Sequence, residues 1–218
     1  MFFYYNYYRF INYIVIKMNN KIGIIGLGFV GSAIESSFKH FNICINSYDK
    51  FKNGGIGSFD DVIKSDIIFL CLPTPYNSNL KEYDKTSIYE TCKLLVDSSY
   101  NGIIVIKSTI EIGTISYLEL EYPLNYVYNP EFLTARTAKE DFHNQTHIVL
   151  GYGKIISKID YEKIINFYSY YYPNARISRC DAKESESMKL FCNCFYSVKI
   201  QFFNELYLLK KQDSNSNP

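Results

Sequence analysis

The sequence lacks an excess of charge of either sign. Its 218 residues carry 23 Lys and Arg against 22 Asp and Glu, a net charge of +1, and no basic stripe recurs along the chain. Because a nucleic-acid-binding protein needs a positive surface that follows the phosphates, we expect no nucleic-acid partner. Tryptophan is absent too, but 47% of the residues are apolar, enough to build a core. The length allows one good domain with an appendage, or two small domains.

The sequence also lacks a cysteine pair at zinc-binding spacing. None of its six cysteines forms a Cys-x-x-Cys motif, so we predict no metal site. Cys44 and Cys71 fall in two runs that we predict to be buried strands. Free buried thiols are typical of a reducing compartment, which favours a cytoplasmic location.

A long uninterrupted hydrophobic run is missing as well. The aromatic and apolar stretch at residues 1–17 is broken by Asn6, Arg9 and Asn12, and it is too short to cross a bilayer. It also lacks the basic start and the small-residue cleavage site of a signal peptide. We therefore interpret residues 1–18 as an N-terminal extension and expect no membrane partner, with an interfacial anchor as the alternative.

What the sequence does contain is a glycine turn between an apolar run and a helix-compatible segment. After residues 22–25, the glycines Gly26, Gly28 and Gly31 follow the spacing Gly-x-Gly-x-x-Gly. In that spacing the first glycine permits the turn, the second lets a pyrophosphate approach the backbone, and the third lets helix and strand pack closely. The free N–H groups of a helix N-terminus favour the phosphates. We predict a dinucleotide site formed by Gly26, Gly28, Phe29, Val30 and Gly31.

An acidic residue follows the second strand-like run. That run, residues 43–48, ends at Asp49, close to the ~20-residue offset that the dinucleotide fingerprint requires. Asp49 would accept hydrogen bonds from the adenosine ribose and repel a 2′-phosphate, so the cofactor is predicted to be NAD rather than NADP. The alternative is a glycine-rich turn that binds no ligand.

Strand-like and helix-like segments alternate as far as residue 180. The apolar runs at residues 67–72 and 103–106 are typical of strands buried on both faces. We predict an α/β fold for residues 19–180, a doubly wound, mostly parallel sheet of the Rossmann-like NAD-binding type. Ligands bind at the carboxyl ends of such strands, where Thr74, Thr109 and Glu131 lie. For Thr74 a rigid turn is the alternative.

Residues 181–211 contain neither proline nor glycine. They predict one long helix that starts with a capping box made by Asp181 and Glu184. A helix of about thirty residues is ~45 Å long, too long to serve one small domain. We expect it to connect two domains or to form a homodimer with its twin, and we expect a disordered tail at residues 212–218, which are polar.

Lys189 and Asn193 lie one turn apart on this predicted helix. An ammonium beside an amide is suited to polarising a carbonyl or stabilising an oxyanion. A solvated lysine and an incidental asparagine are the alternative interpretation.

Several motifs together resemble the UDP-glucose/GDP-mannose dehydrogenase family, and most closely its UDP-glucose 6-dehydrogenase branch. They are GLGFVG at 26–31, CLPTP at 71–75, KSTIEIGT at 107–114, NPEFL at 129–133, HIVLG at 147–151 and the Lys-x-x-x-Asn element within 189–206. The resemblance implies that a nucleotide-sugar C6 alcohol, that of UDP-glucose first, is oxidised to the carboxylate while NAD is reduced. In the family a cysteine holds the intermediate.

The resemblance also implies roles for individual residues. Thr109 and Glu131 would position water or act as acid and base, and Thr109 would also contact the cofactor. Lys189 would stabilise an oxyanion, and Asn193 would orient the sugar. Phe132 and Leu133 would line the sugar-nucleotide site through their backbone.

Two departures from the family pattern limit what we expect. Ala135 stands where the family has an acidic residue near the nicotinamide, and the sequence contains no Gly-rich GFGGxC segment. We interpret Cys192 and Cys194 as packing residues on the long helix. We therefore expect a truncated chain whose NAD half is intact and which does not complete the oxidation alone. A non-catalytic NAD-binding module that dimerises, or a hydroxyacid dehydrogenase of the 3-hydroxyisobutyrate or 6-phosphogluconate type, remains as an alternative, although NPEFL disfavours the latter.

Overall fold

The computed structural model describes residues 20–214. The predicted extension at residues 1–18 and the last four residues of the predicted tail lie outside this range. The strands are β1 (Ile22–Ile25), β2 (Ile45–Tyr48), β3 (Ile67–Leu70), β4 (Tyr76–Asn77), β5 (Glu82–Tyr83), β6 (Ile103–Ile106), β7 (Asn125–Tyr128), β8 (His147–Tyr152) and β9 (Arg176–Asp181). The helices are α1 (Phe29–His40), α2 (Phe59–Val62), α3 (Thr86–Asp97), α4 (Thr114–Glu121), α5 (Ala138–His143), α6 (Lys158–Tyr171) and α7 (Ala182–Ser214).

Within the described range, all the strands except the β4–β5 hairpin form one sheet in the order β2-β1-β3-β6-β7-β8-β9. Neighbouring strands are parallel, apart from the antiparallel pair β7 and β8. The prediction of a mostly parallel α/β sheet is therefore confirmed. From β1 the chain turns to β2 on one side and then returns to β3 on the other. This reversal opens a crevice at the carboxyl ends of β1 and β3, where sheets of this kind bind ligands.

The central strands are buried on both faces because helices cover both sides of the sheet. All four residues of β3 and all four of β6 are buried. One cluster of buried residues includes Phe38 of α1, Phe142 of α5 and Phe167 of α6. The other includes Ile88 and Leu95 of α3. This two-sided core is the doubly wound arrangement that the apolar runs predict.

The prediction of a buried strand at Cys44 is wrong. Cys44 is exposed and precedes β2, whose residues are only half-buried. The physical reason is the position of β2 at the edge of the sheet, where one side has no neighbouring strand. Cys71 directly follows β3 and is half-buried.

Two short elements were not predicted from the sequence: the hairpin of β4 and β5, and the helix α5. Helix α6 begins at Lys158 because the Ser157 hydroxyl caps it, accepting the Asp160 N–H at 3.0 Å.

The long helix α7 starts with the predicted capping box. The Glu184 N–H donates to Asp181 Oδ1 at 2.9 Å, and the Asp181 N–H donates to Glu184 Oε2 at 3.0 Å. The helix then crosses β8 at Gly151, where an added Cβ would overlap the side chain of Ser185. It continues to Ser214, and the disordered tail at residues 212–218 stays a prediction. Residues 193–211 are all exposed.

Candidate functional site

The three glycines of the turn after β1 differ in what surrounds them. Gly26 has a φ of +90°, and a Cβ there would lie 2.5 Å from the Cys71 carbonyl oxygen. A Cβ on Gly31 would overlap the Gly26 carbonyl oxygen, whereas a Cβ on Gly28 would meet nothing within 4 Å. Gly26 and Gly31 are therefore needed by the fold itself. Gly28 leaves open space above the backbone, which is the space that a pyrophosphate needs.

The N-terminus of α1 is available to an anion. Gly28 is the N-cap residue; it makes no side-chain capping hydrogen bond, and no acidic residue lies in the first turn. Since the first N–H groups of a helix have no partner within the helix, they carry a partial positive charge into the open space. The backbone at Gly28, Phe29 and Val30 thus fits a phosphate group.

Asp49 lies beside the glycine turn and is held by backbone donors. The Leu27 N–H donates to its Oδ2 at 2.7 Å, and the N–H groups of Phe51 and Lys52 donate to its Oδ1 at 3.0 and 2.9 Å. Burial opposes ionisation, but these N–H groups and the Lys52 ammonium hold the pKa of Asp49 below its usual value. The Asp49 carboxylate accepts these three hydrogen bonds on two oxygens, and it can accept one more, such as one from a ribose hydroxyl.

One cavity of about 590 Å³ extends from this aspartate to the carboxyl ends of β6 and β7. Its volume lies in the range of small-molecule and cofactor sites. Its walls include the predicted residues Gly26, Gly28, Phe29, Val30, Asp49, Thr74, Thr109 and Glu131. Of the residues predicted to bind the cofactor, only Gly31 is not on the wall, since it lies packed against the turn.

The loops after β3 and β6 brace each other at this cavity. The Thr74 hydroxyl donates to the Thr109 carbonyl oxygen at 2.7 Å, and the Ser108 hydroxyl donates to the Leu72 carbonyl oxygen at 2.8 Å. The Thr74 contact matches the alternative interpretation, in which this segment is a rigid turn. The Thr74 oxygen can still accept a hydrogen bond from a ligand.

Lys189 is buried, so the alternative of a solvated lysine is wrong. Its side chain is 7% exposed, and its Nζ lies 3.1 Å from Glu131 Oε1 and donates to the Glu131 carbonyl oxygen. It also lies 5.3 Å from the centre of the Phe132 ring. The second carboxylate oxygen of Glu131 accepts the Leu133 N–H at 2.8 Å. The structure thus brings Lys189 together with Glu131, Phe132 and Leu133.

Asn193 is exposed, one turn beyond Lys189. Its backbone oxygen accepts the Ser197 hydroxyl, and no side-chain hydrogen bond from Asn193 to another described residue is present. Its role in orienting a sugar stays a prediction.

Lys107 and Asn129 were not predicted as site residues, although they begin the motifs KSTIEIGT and NPEFL. Lys107 lies on the cavity wall directly after β6, is 2% exposed, and donates to Asn129 Oδ1 at 2.9 Å. The same Asn129 oxygen accepts the Tyr168 hydroxyl at 2.5 Å, while the Asn129 amide donates to the Val149 carbonyl oxygen at 2.7 Å. A lysine directly after four apolar strand residues was the available signal, since buried ammonium groups need a specific partner.

Burial shifts the pKa of two groups at this end of the cavity in opposite ways. It lowers the pKa of Lys107 to about 8 and raises the pKa of Cys71 to about 12. Cys71 is therefore a neutral thiol at physiological pH, and it is unsuited to act as a nucleophile, since thiolates are the reactive form.

Three further residues of interest lie away from this cavity. Ala135 is exposed and lines a neighbouring cavity of about 710 Å³ beside Gly28. Cys192 is half-buried, but Cys194 is exposed, so its interpretation as a packing residue is wrong within this fold.

Residues 20–214 contain neither a metal centre nor a membrane-spanning helix. No cluster of three or more His, Cys, Asp or Glu side chains in this part of the chain could hold a metal ion. Over the same residues, no helix has both the length and the apolar character needed to cross a membrane.

Comparisons with known proteins agree with this geometry. The sequence profile of the UDP-glucose/GDP-mannose dehydrogenase family, NAD binding domain, matches residues 57–170, just over half of the chain. UDP-glucose 6-dehydrogenase of Rickettsia prowazekii is 32% identical over 200 residues, which cover 87% of this chain and 42% of that protein. The chain thus spans less than half the length of this curated relative.

Two solved structures share the fold. The UDP-glucose dehydrogenase of Pyrobaculum islandicum superposes with a TM-score of 0.73 at 21% identity, over 87% of this chain and 52% of that chain. The 3-hydroxyisobutyrate dehydrogenase of Mycobacterium tuberculosis gives a TM-score of 0.68 at 14% identity, over 91% of this chain and 67% of that chain. At these identities the two structures support the architecture alone, and the choice between the two kinds of enzyme depends on the sequence profile.

The residues of this cavity fit NAD, the cofactor named in the description of the family profile. Open backbone at Gly28, an uncapped helix N-terminus and the ionised Asp49 lie on one cavity wall, and these are the features that hold a dinucleotide. NAD is thus the cofactor of this domain, and the chain belongs to the UDP-glucose/GDP-mannose dehydrogenase family.

Proposed function

We propose that this chain is the NAD-binding part of a nucleotide-sugar dehydrogenase that oxidises the C6 alcohol of a nucleotide sugar, with UDP-glucose as the favoured substrate. One observation carries the proposal. A single cavity joins the glycine turn and Asp49 to Thr109 and Glu131, and the buried Lys189 ammonium holds Glu131 at the far end.

At the near end, the residues of the chain bind and orient the cofactor. The uncapped start of α1 holds the pyrophosphate over Gly28, and Asp49 accepts a hydrogen bond from the adenosine ribose. Thr74 and Thr109, fixed by the hydrogen bond between their loops, line the path to the far end. NAD, when bound, supplies the acceptor for the hydride that leaves the alcohol carbon.

At the far end, Glu131 and Lys189 act on the substrate. The Glu131 carboxylate accepts a proton from the alcohol or from an attacking water, within reach of the cavity. Lys189 makes two contacts to Glu131, which leaves one ammonium N–H for a developing oxyanion. Phe132, Leu133 and Asn193 would contact the sugar.

The sequence contains no Gly-rich cysteine segment, and the thiol of Cys71 is neutral and half-buried. Covalent catalysis needs an activated nucleophile. We therefore expect this chain to bind NAD but not to produce a sugar carboxylate by itself.

Calorimetry with NAD tests the cofactor half of the proposal. The wild-type chain is expected to bind NAD, and Gly28→Asp is expected to abolish binding because its side chain fills the open space and repels phosphate. A folded wild-type chain without affinity for NAD would overturn the proposal.

An activity assay tests the other half. Steady production of UDP-glucuronate from UDP-glucose by this chain alone would overturn the expectation of incomplete oxidation. Turnover of a 3-hydroxyacid, without binding of a UDP-sugar, would instead favour a hydroxyacid dehydrogenase.

We also propose that α7 forms a homodimer. Beyond residue 190 the helix exposes many large apolar side chains: Phe191, Phe195, Tyr196, Val198, Ile200, Phe202, Phe203, Leu206, Tyr207, Leu208 and Leu209. Such a surface is far larger than a monomer usually leaves in water. Light scattering of the full chain is expected to give twice the monomer mass. Ile200→Lys is expected to reduce the mass to that of the monomer. Lys199→Glu, on the same turn, is the control and is expected to keep the dimer mass. A monomer mass for the wild-type chain would overturn the proposal.

A cytoplasmic location is proposed as well. All six cysteines are free thiols, as is usual in a reducing compartment. Cell fractionation of a tagged chain tests this, and recovery in a membrane or extracellular fraction would contradict it.

A further inference from the structure

The far end of the cavity carries more positive than negative charge. Lys107 lies on the cavity wall there, and Lys189 contacts Glu131, which also lies on the wall; the two lysines are 2% and 5% exposed. Cys71, also on the wall, is a neutral thiol, and the other wall carboxylates, Asp49 after β2 and Glu90 on α3, are not among the groups that shift the pKa of Lys107. Around Lys107, two cations are therefore accompanied by one anion, and that anion is already paired with Lys189.

Lys107 is the cation that remains without a carboxylate partner among the described residues. Its only hydrogen bond within residues 20–214 goes to Asn129 Oδ1, so two of its three N–H groups are uncommitted. Asn129 is itself fixed by Tyr168 and by the Val149 carbonyl oxygen. The ammonium does not extend into solvent: Lys107 is 2% exposed, and its Nζ lies 5.5 Å from the centre of the Phe142 ring.

The two ends of the cavity hold different parts of a dinucleotide. Asp49 and the glycine turn mark the adenosine and pyrophosphate end, so the nicotinamide ring lies toward Thr109, Glu131 and Lys107. This placement rests on the proposed function. The oxidised ring carries a positive charge, whereas the reduced ring is neutral, and the rest of the cofactor is the same in both forms.

We propose that Lys107 makes this site prefer the reduced cofactor, NADH, over NAD⁺. A buried ammonium repels the oxidised ring and leaves the reduced ring unaffected. At an effective dielectric constant of about 20, this repulsion is worth about tenfold in relative affinity at a separation of ~12 Å, and more at shorter range. Contacts to the adenosine and pyrophosphate cancel in the ratio of the two dissociation constants, so the ratio isolates the effect of charge at the ring.

The preference depends on pH through the protonation of Lys107. The ionisable groups around it are Cys71 at the end of β3, Glu131 after β7, Tyr168 on α6 and Lys189 on α7. Burial keeps the thiol of Cys71 and the phenol of Tyr168 neutral by raising the pKa of both. Because burial also lowers the pKa of Lys107 to about 8, its charge disappears as the pH rises above that value. The preference for NADH is expected to weaken over the same interval.

The experiment measures the Kd of the full chain for NAD⁺, NADH and ADP-ribose at pH 6.5 and at pH 9. Lys107→Met is the test variant, since Met keeps the length of the side chain and removes the charge. Lys154→Met is the matched control. Lys154 is exposed and follows β8, and because β8 is antiparallel to β7, the end of β8 lies away from the carboxyl ends of β6 and β7 that form the cavity. The expected result is a ratio of Kd for NAD⁺ over NADH that is about tenfold lower in Lys107→Met than in wild type at pH 6.5. The control variant keeps the wild-type ratio.

ADP-ribose separates the possible failures. It lacks the nicotinamide, so unchanged affinity for ADP-ribose in Lys107→Met shows that the near end is intact. If ADP-ribose binds and the ratio equals that of wild type, the inference is overturned while the proposed function stands. If wild type binds none of the three ligands, both are overturned. Should Lys107→Met fail to fold, the wild-type ratio decides: it must fall between pH 6.5 and pH 9, and a constant ratio overturns the inference.

Discussion

The Lys189 ammonium lies 3.1 Å from Glu131 Oε1 and joins residues that are 58 positions apart in the chain. This contact ties the first turns of α7 to the segment after β7. Both side chains are largely buried, with 7% and 16% of their surfaces exposed. The pair therefore serves the fold and the proposed chemistry at the same time, and the two roles can be separated by mutation.

Lys189→Met is expected to lower the free energy of unfolding by about 3 kcal/mol, because it leaves the Glu131 carboxylate buried without a cation. Glu131→Gln in the same chain removes that unpaired charge. The double variant is therefore expected to recover most of the lost stability, as measured by urea denaturation. Equal stability of the single and double variants would show that the ion pair contributes nothing to the fold.

The two outer glycines of the turn and the middle one are expected to respond differently to the same substitution. Gly31→Ala places a Cβ onto the Gly26 carbonyl oxygen, so we expect loss of the folded state or a fall of several degrees in Tm. Gly28→Ala meets no atom within 4 Å and is expected to keep the wild-type Tm. Its methyl group projects toward the phosphates, so NAD affinity is expected to fall about tenfold or more. Wild-type affinity in Gly28→Ala would place the cofactor elsewhere.

Asp49→Asn tests the adenosine end of the cavity. The amide nitrogen cannot accept from the backbone donors that the carboxylate satisfies, which costs about 1–3 kcal/mol of stability for an unsatisfied buried donor. Because the folded state lowers the pKa of Asp49, the stabilisation exists above the unfolded pKa of 3.8 and is lost as the pH falls through the folded value. The gap in Tm between wild type and Asp49→Asn is thus expected to close below pH 4. A gap independent of pH would contradict this account.

The sequence predicted those parts of the molecule that depend on neighbouring residues. The glycine turn and the Asp181–Glu184 capping box involve short spacings, and Asp49 lies at the fixed offset of the dinucleotide fingerprint. For Lys107 the apolar run before it indicated burial, but no fixed offset identified its partners. They are Asn129 after β7, which Tyr168 of α6 holds in place, and such contacts follow from packing rather than from a local pattern.

Glu186 was unpredictable for the same reason. It lies on α7, is fully buried, and accepts the N–H groups of Gly113 and Ile115 at 2.6 and 2.8 Å, across 73 and 71 positions. It thereby caps the N-terminus of α4, a helix whose own N-cap residue is a glycine without a side chain. One helix thus completes the end of another.

The protonation of Glu186 predicts in which direction the stability of the fold changes with pH. Burial raises the pKa of this carboxyl above the usual 4.5, against the opposing effect of the two backbone donors. The folded state therefore holds the proton more tightly than the unfolded state, so the contribution of Glu186 to stability is complete below pH 4.5 and is lost as the pH rises through the folded pKa.

The variant Glu186→Gln tests this sign, because its amide does not titrate. The unfolding free energy of wild type minus that of Glu186→Gln is expected to decrease from pH 4 to pH 7, by about 1.4 kcal/mol for each unit between the two pKa values. Urea denaturation at each pH measures it, with Glu121→Gln at the exposed end of α4 as the control. A difference that grows with pH would mean that the two N–H donors outweigh burial and that the folded state prefers the charged carboxylate.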